Sequence, residues 1–388
     1  MTEEKIIPLS VPNLKGHELL YVKQAVESEW VSTAGPYVSQ FEKEIAEYVK
    51  APSAVACQSG TAGLHIALQI CGVKRQDLVI VPTLTFIAAV NPVRYLGADP
   101  VFMDCDDSLC MDPKKLENFC KNECEIKGNN LWHKATGRRI PAMVIVHIFG
   151  NMADMEAVLR IAGQYKLKVV EDATEAIGTR YEEGPHAGCY AGTMGDIGVY
   201  SFNGNKIMTT GGGGMIVSLN TDYLKESKHL TTQAKADEAN FIHDEIGYNY
   251  RLTNLQAALG IAQLEQLESF IEIKKRNYDL YCESLPRNVG LSILKFREEV
   301  RSNCWFYSLM CEDLSVWKPA EIIQKLKVHH IQTRPIWGLI HEQAPYLGSL
   351  CYQIEKAKYY WQRVVNLPCS TNLTGEDVER VIETILSD

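Results

Sequence analysis

Ser201-Phe-Asn-Gly-Asn-Lys206-Ile-Met-Thr-Thr-Gly-Gly-Gly-Gly-Met215 joins two apolar, strand-like runs, Ile197–Phe202 and Met215–Leu219, and sets a single amine among small residues. A loop with so few bulky side chains lets its backbone crowd against a ligand. Upstream, Val169-Val170-Glu171-Asp172-Ala173 is a short apolar run that ends in two carboxylates, Asp172 lying 34 residues before Lys206. An amine and a carboxylate at the ends of successive strands are what pyridoxal phosphate (PLP) requires. The amine condenses with its aldehyde, and the carboxylate keeps its ring nitrogen protonated. Asp172 could instead cap a helix or pair at the surface. Burying it after an apolar run is costly unless a cation meets it.

Working outward, short apolar runs alternate with helical patterns from about residue 52 to 220. Ser53–Cys57 precedes Thr61–Cys71, Leu78–Pro82 precedes Phe86–Tyr95, and Ala142–His147 precedes Met155–Tyr165, with further runs at Pro100–Met103, Val169–Glu171 and Gly214–Leu219. This alternation predicts an α/β domain built on a mostly parallel sheet, whose ligands gather at the carboxyl ends of the strands. From Thr253 to about Leu285 the pattern is helical, with Thr253 as N-cap, and it leads into a smaller α+β domain that ends in a helix Gly375–Leu386 behind Thr374. The expected division is a large domain over 1–265, with an N-terminal arm over about 1–30, and a small one over 266–388.

Gln58-Ser59-Gly60-Thr61 turns a strand into a helix, where free N–H groups and a hydroxyl would seat a phosphate. A plain N-cap explains the same residues. Ser201 and Asn203 stand beside Lys206, and the Ser201 hydroxyl could give that phosphate a further donor. Phe86 reads from its own context as core before cofactor platform, and His147 as a buried polar group with a partner. Gly211–Gly214 runs into a strand rather than a helix, which argues against a dinucleotide fingerprint.

Composition narrows the class. The chain has 388 residues, 46% of them hydrophobic, and a net charge of −9, so it can bury a large core and offers no basic face for nucleic acid. Met1-Thr-Glu-Glu-Lys-Ile-Ile-Pro has no apolar leader, and no apolar run is long enough to span a bilayer; a cytoplasmic protein without a membrane partner is expected. Twelve cysteines are scattered without a C-x-x-C pair, which predicts reduced thiols and no metal.

Ser59-Gly60-Thr61-Ala62, Glu171-Asp172-Ala173, Ser201–Lys206 and Gly247-Tyr248-Asn249-Tyr250-Arg251-Leu252-Thr253-Asn254, followed by Ala257–Gly260 and Gln263-Leu264, closely resemble the DegT-like nucleotide-sugar aminotransferases. The resemblance runs in order from Ile7 to the C-terminal end. Within the family, Ile7–Asn13, Ser201–Met215 and Thr231–Lys235 are most similar to members that aminate 4-keto-6-deoxy N-acetylhexosamine nucleotides in bacillosamine and legionaminic acid pathways.

The resemblance implies the aspartate-aminotransferase fold (PLP fold type I), with a mostly parallel seven-stranded sheet, and a homodimer with shared active sites. It implies PLP on Lys206 cycling through pyridoxamine phosphate, with L-glutamate as amino donor and a nucleotide sugar as acceptor. By position, Asp172 meets the ring nitrogen and Phe86 stacks on the ring. Gly60, Thr61 and Ser201 hold the phosphate, with Asn203 in the same lysine loop, and Asn249 reaches the partner's cofactor. Glu175 stands where relatives often carry glutamine near the cofactor hydroxyl. Arg334-Pro-Ile-Trp337 and His341 match a region that lines the sugar-nucleotide site, and Arg251 and Arg334 are candidates for the donor's carboxylates. Two other readings compete. A pyridoxamine phosphate-dependent sugar dehydratase would carry histidine at position 206, and a sugar-nucleotide-binding protein without turnover would not need every one of these positions intact.

Overall fold

A computed structural model describes residues 5–387. Met1–Glu4, the acidic start of the chain, lie outside the described residues. Among the described residues eight strands form the main sheet: β1 (Ala54–Cys57), β2 (Leu78–Pro82), β3 (Asp99–Met103), β4 (Ala142–Val146), β5 (Lys168–Asp172), β6 (Ile197–Ser201), β7 (Gly214–Val217) and β8 (Leu350–Tyr352), in the order β1-β7-β6-β5-β4-β2-β3-β8. β7 runs antiparallel to both β1 and β6, and every other neighbouring pair is parallel. The seven expected strands are present. The eighth comes from the C-terminal part of the chain, so that part is stitched into the large sheet.

The central strands are buried along their whole length, as parallel strands covered by helices on both faces must be. Leu78, Val79, Ile80 and Val81 are fully inaccessible, and each contributes roughly 1.5–3 kcal/mol by leaving water. The crossover helix Met155–Tyr165 shows how local sequence fits this frame. Asp154 caps it by accepting the Ala157 N–H, Met155, Val158, Ile161, Ala162 and Tyr165 form its buried stripe, and Lys166 ends it in the left-handed region.

The predicted helix from Phe86 to Tyr95 is instead a 3-10 turn, Ile87–Ala89, and a short helix, Asn91–Tyr95. Pro92 suits the first turn of the second piece and has no N–H with which to continue a helix from the residues before it. The single long helix read after Thr253 is two helices, Asn254–Leu264 and Leu267–Ser284, the first opened by a Thr253/Gln256 capping box. Four antiparallel strands follow in the order Leu291–Ile293, Tyr307–Cys311, Val364–Leu367, Arg334–Pro335, with the helices Pro319–Val328 and Gly375–Leu386. Thr374 caps the latter as read. Among the described residues no helix is long and apolar enough to cross a membrane.

Candidate active site

The register of the antiparallel strands builds one end of the site. Gly214 pairs with Cys57 on one side and with Ser201 on the other, which brings the Ser59–Thr61 turn and Ser201 to the same edge. A Cβ on Gly214 would sit 2.7 Å from the Ser59 carbonyl carbon, and one on Gly60 would sit 2.8 Å from Thr174 Cγ2 and 3.0 Å from Ser201 Cβ. Only glycine permits these approaches. Ser59 is the N-cap of the helix Gly60–Ile70, its Oγ accepting the Ala62 N–H at 3.1 Å. The first-turn N–H groups of Gly60 and Thr61 are left over by helix geometry and point, with the positive end of the helix dipole, into the site.

Those groups line a cavity of about 650 Å³ at the carboxyl edge of the sheet. Gly60, Thr61, Phe86, Asp172, Glu175, Ser201, Asn203, Lys206, Arg334 and Trp337 all face it. A larger cleft of about 1200 Å³ lies along the helix Leu267–Ser284 and contains none of them. His341 stands behind the wall, its Nδ1 2.6 Å from Thr83 Oγ1. Asn249 is exposed, its Oδ1 accepting from Arg251 Nη2 at 3.3 Å, and it does not line this chain's own cavity.

Lys206 Nζ lies 3.8 Å from Glu175 Oε1 and 4.0 Å from the centre of the Trp305 ring. Burial pulls the amine below its ordinary range, although Glu175 and Asp172 both pull the other way. Glu175 is its counterpart: burial pushes the carboxyl up against the opposing pull of Lys206, while its Oε2 accepts the Phe149 N–H at 2.8 Å. Each group is driven toward its neutral form, the condition under which a proton passes between them at small cost.

Asp172 closes β5 and is buried. Its Oδ1 accepts the Thr174 N–H at 3.1 Å, and burial pushes the carboxyl above the ordinary aspartate range. Lys206 offsets that desolvation only from a distance, and among the described residues no ion pair reaches the carboxyl, so a cation in the cavity would stabilise it. Glu171, one residue earlier, points to the other face of the sheet and is satisfied there. His147 Nδ1 accepts the Ala153 N–H, which leaves Nε2 to donate to Glu171 Oε2 at 2.8 Å, and the N–H groups of Gly192, Met194 and Gly195 complete the shell. His147 is thus the buried polar group with a partner, not a catalytic one. The cavity offers an amine, a cation-seeking carboxylate, a helix N-terminus with two hydroxyls and an aromatic face. That donor set fits PLP in amine, ring nitrogen, phosphate and ring.

A profile of the DegT/DnrJ/EryC1/StrS aminotransferase family matches residues 12–386. The chain belongs to that family. Among its relatives are EpsN of Bacillus subtilis, assigned to the pyridoxal phosphate-dependent aminotransferases, 36% identical over 98% of this chain and 95% of that protein, and the GDP-perosamine synthase of Escherichia coli O157:H7, 35% identical over 98% of each. The UDP-4-amino-4,6-dideoxy-N-acetyl-beta-L-altrosamine transaminase of Campylobacter jejuni is 26% identical over 98% of this chain and 97% of its own. The solved aminotransferase TlmJ of Streptoalloteichus hindustanus superposes with a TM-score of 0.86 at 25% identity, covering 98% of each chain, and Helicobacter pylori PseC shares the fold with a TM-score of 0.87 at 20% identity and the same coverage. This DegT-family chain is a PLP-dependent aminotransferase. Its site also contains Trp305 and Thr174, neither of them read from the sequence. Trp305 lies 99 residues past Lys206 in an unremarkable aromatic run, with no local signal.

Proposed function

We propose that this enzyme moves an amino group from L-glutamate to the C4 keto carbon of a nucleotide-linked 4-keto-6-deoxy sugar, with UDP-4-keto-6-deoxy-N-acetylglucosamine as acceptor, in cytoplasmic synthesis of a surface-glycan sugar. The observation that carries this reading is a lysine facing Glu175 and Trp305 in a cavity that also contains Asp172 and is large enough for a ligand beyond the cofactor. Bound there, PLP supplies an aldehyde for the amine and a ring that accepts an electron pair from the substrate carbon. Asp172 would hold the ring nitrogen, Phe86 the ring face, and Gly60, Thr61 and Ser201 the phosphate. Asn203 lies close by, and Glu175 faces the lysine. Once free, Lys206 Nζ would take the proton from the substrate carbon and hand that same proton on at the other end of the transfer, a task that its lowered basicity suits. Arg334 and Trp337, at the cavity's outer wall, suit the anionic and flat parts of a sugar nucleotide, with His341 supporting that wall from behind through Thr83.

A homodimer with shared sites is part of this reading. Leu19 on the N-terminal helix is 82% exposed and Ile246 in the segment leading to Asn249 is 83% exposed, an apolar pair of surfaces that a second copy would cover. Asn249, turned away from its own cavity, would then face the partner's phosphate.

The relatives favour two nucleotides. The C. jejuni protein is named for a UDP-linked 4-amino-4,6-dideoxy-N-acetyl sugar, whereas the E. coli protein is a GDP-perosamine synthase. Purified enzyme incubated with glutamate and a panel of UDP-, GDP- and dTDP-linked 4-keto sugars should yield a 4-amino product, identified by mass and NMR, most rapidly from the UDP-linked N-acetyl substrate. Preference for the GDP sugar would replace the proposed acceptor. No amine from any of them would end the reading.

A further inference from the structure

We propose that Trp305 is a positioning residue for Lys206: its ring face receives the free ammonium, and its indole N–H anchors the main chain one residue before the lysine. The inference rests on Lys206 being the reactive amine. Two contacts on different parts of the same side chain carry it. Lys206 Nζ lies 4.0 Å from the ring centre, and Trp305 Nε1 donates to the Asn205 carbonyl at 2.8 Å. That carbonyl also accepts the Ser10 hydroxyl at 3.1 Å, so the turn into Lys206 is held from two directions.

The main chain of Trp305 is held as well. Its backbone N–H donates to Asn303 Oδ1 at 3.0 Å, and its carbonyl accepts the buried Lys274 ammonium at 3.0 Å. Asn303 Nδ2 in turn donates to the carbonyls of Glu175 and Ile177, each at 2.9 Å. One asparagine therefore ties together the two groups that flank the amine, the Glu175 carboxyl and the Trp305 ring. The flanks differ in chemistry. Glu175 can take the proton, whereas the ring attracts the ammonium through its quadrupole and cannot be protonated. Asp172 and Glu175 are the acidic groups facing Lys206, and Arg334 is the cation on the cavity wall. Between them, Trp305 returns the amine to one place whenever it is released, without consuming the proton it must deliver.

The test reads the amine directly. Full-length holoenzyme is first trapped with borohydride, and the modified peptide is identified by mass spectrometry. A wild-type chain not trapped on Lys206 would overturn the functional reading and this proposal together. Holoenzyme treated with glutamate, which frees the amine, is then labelled with acetic anhydride from neutral to alkaline pH, and the Lys206 peptide is quantified. Trp305→Leu should lower the labelling midpoint by about one pH unit, since loss of the ring favours the neutral amine roughly tenfold. Trp305→Phe, which keeps a ring face, should stay within a few tenths of wild type while amide exchange around Asn205 rises. Ser10→Ala should leave the midpoint in place. If Trp305→Leu does not fold by circular dichroism, Trp305→Met replaces it with the same expectation. A folded ring-free variant with a wild-type midpoint, in a chain whose Lys206 is trapped by borohydride, overturns the role of Trp305 and leaves the aminotransferase reading standing.

Discussion

Lys206 and Lys274 are both buried amines, and they do opposite work. Lys274, on the helix Leu267–Ser284, spends its ammonium on main-chain oxygens: Trp305 O at 3.0 Å and Cys369 O, both in the C-terminal part of the chain. Among the described residues no carboxylate pairs with it, and it opens onto no cavity of the site. Lys206 meets a carboxyl and an aromatic face in an open cavity, where its hydrogen-bonding capacity is left for a ligand. Burial lowers the basicity of both. Low basicity therefore does not distinguish the lysine proposed for the chemistry from the structural one; the unsatisfied, ligand-facing geometry does.

The sharpest way to break this contrast is Lys206→Ala. It should cut transamination by at least about 10³-fold, the scale of a lost proton-transfer group and covalent attachment point, as read by single-turnover amine formation. Turnover within tenfold of wild type would place the chemistry elsewhere. Lys274→Ala should act on the fold instead. It orphans two buried carbonyls and leaves a cavity, costing about 3 kcal/mol in urea unfolding, whereas Lys206→Met should be neutral or mildly stabilising because it replaces a buried amine that makes no hydrogen bond with an apolar chain. Equal losses from both would erase the distinction.

Asp172→Asn keeps the size and removes the charge that would meet a ring nitrogen. A loss of about 10²-fold in turnover is expected, the worth of a charge-assisted hydrogen bond in a dry site, with little change in unfolding midpoint. The smallest effect is a pH dependence. Glu175 has a folded pKa above its unfolded value, so in that window the folded chain binds more protons, and stability falls as pH rises through it. Glu175→Gln should flatten this slope, which is on the order of 1–2 kcal/mol in urea titrations between mildly acidic and neutral pH. An unchanged slope would mean that Glu175 is ionised throughout.

Much of the candidate site was legible because it is local. A strand ending in Asp172, a turn at Ser59–Thr61 and a lysine loop beside Ser201 each declare themselves within a few residues, and parallel-sheet physics sends strand ends to one edge. The strands Leu78–Pro82 and Ala142–Val146 and the helices Met155–Tyr165 and Gly375–Leu386 were readable for the same reason, the strands as unbroken apolar runs and the helices by their apolar stripes and caps. Less visible was the three-stranded sheet Cys124–Lys127, Asn130–His133 and Arg138–Ile140, whose first strand exposes three of its four residues and so carries no hydrophobic alternation.

Chemistry written in neighbouring residues thus sufficed to single out Lys206, Asp172 and the Ser59–Thr61 turn, which the fold brings to one cavity, because short segments carry their own periodicity and polarity. Trp305 beneath Lys206, Asn303 bridging to Glu175, and Leu350–Tyr352 joining β3 could emerge only when distant segments met. Those pairings depend on which surfaces the folded chain brings within a few ångströms, and no local pattern encodes a contact across a hundred residues.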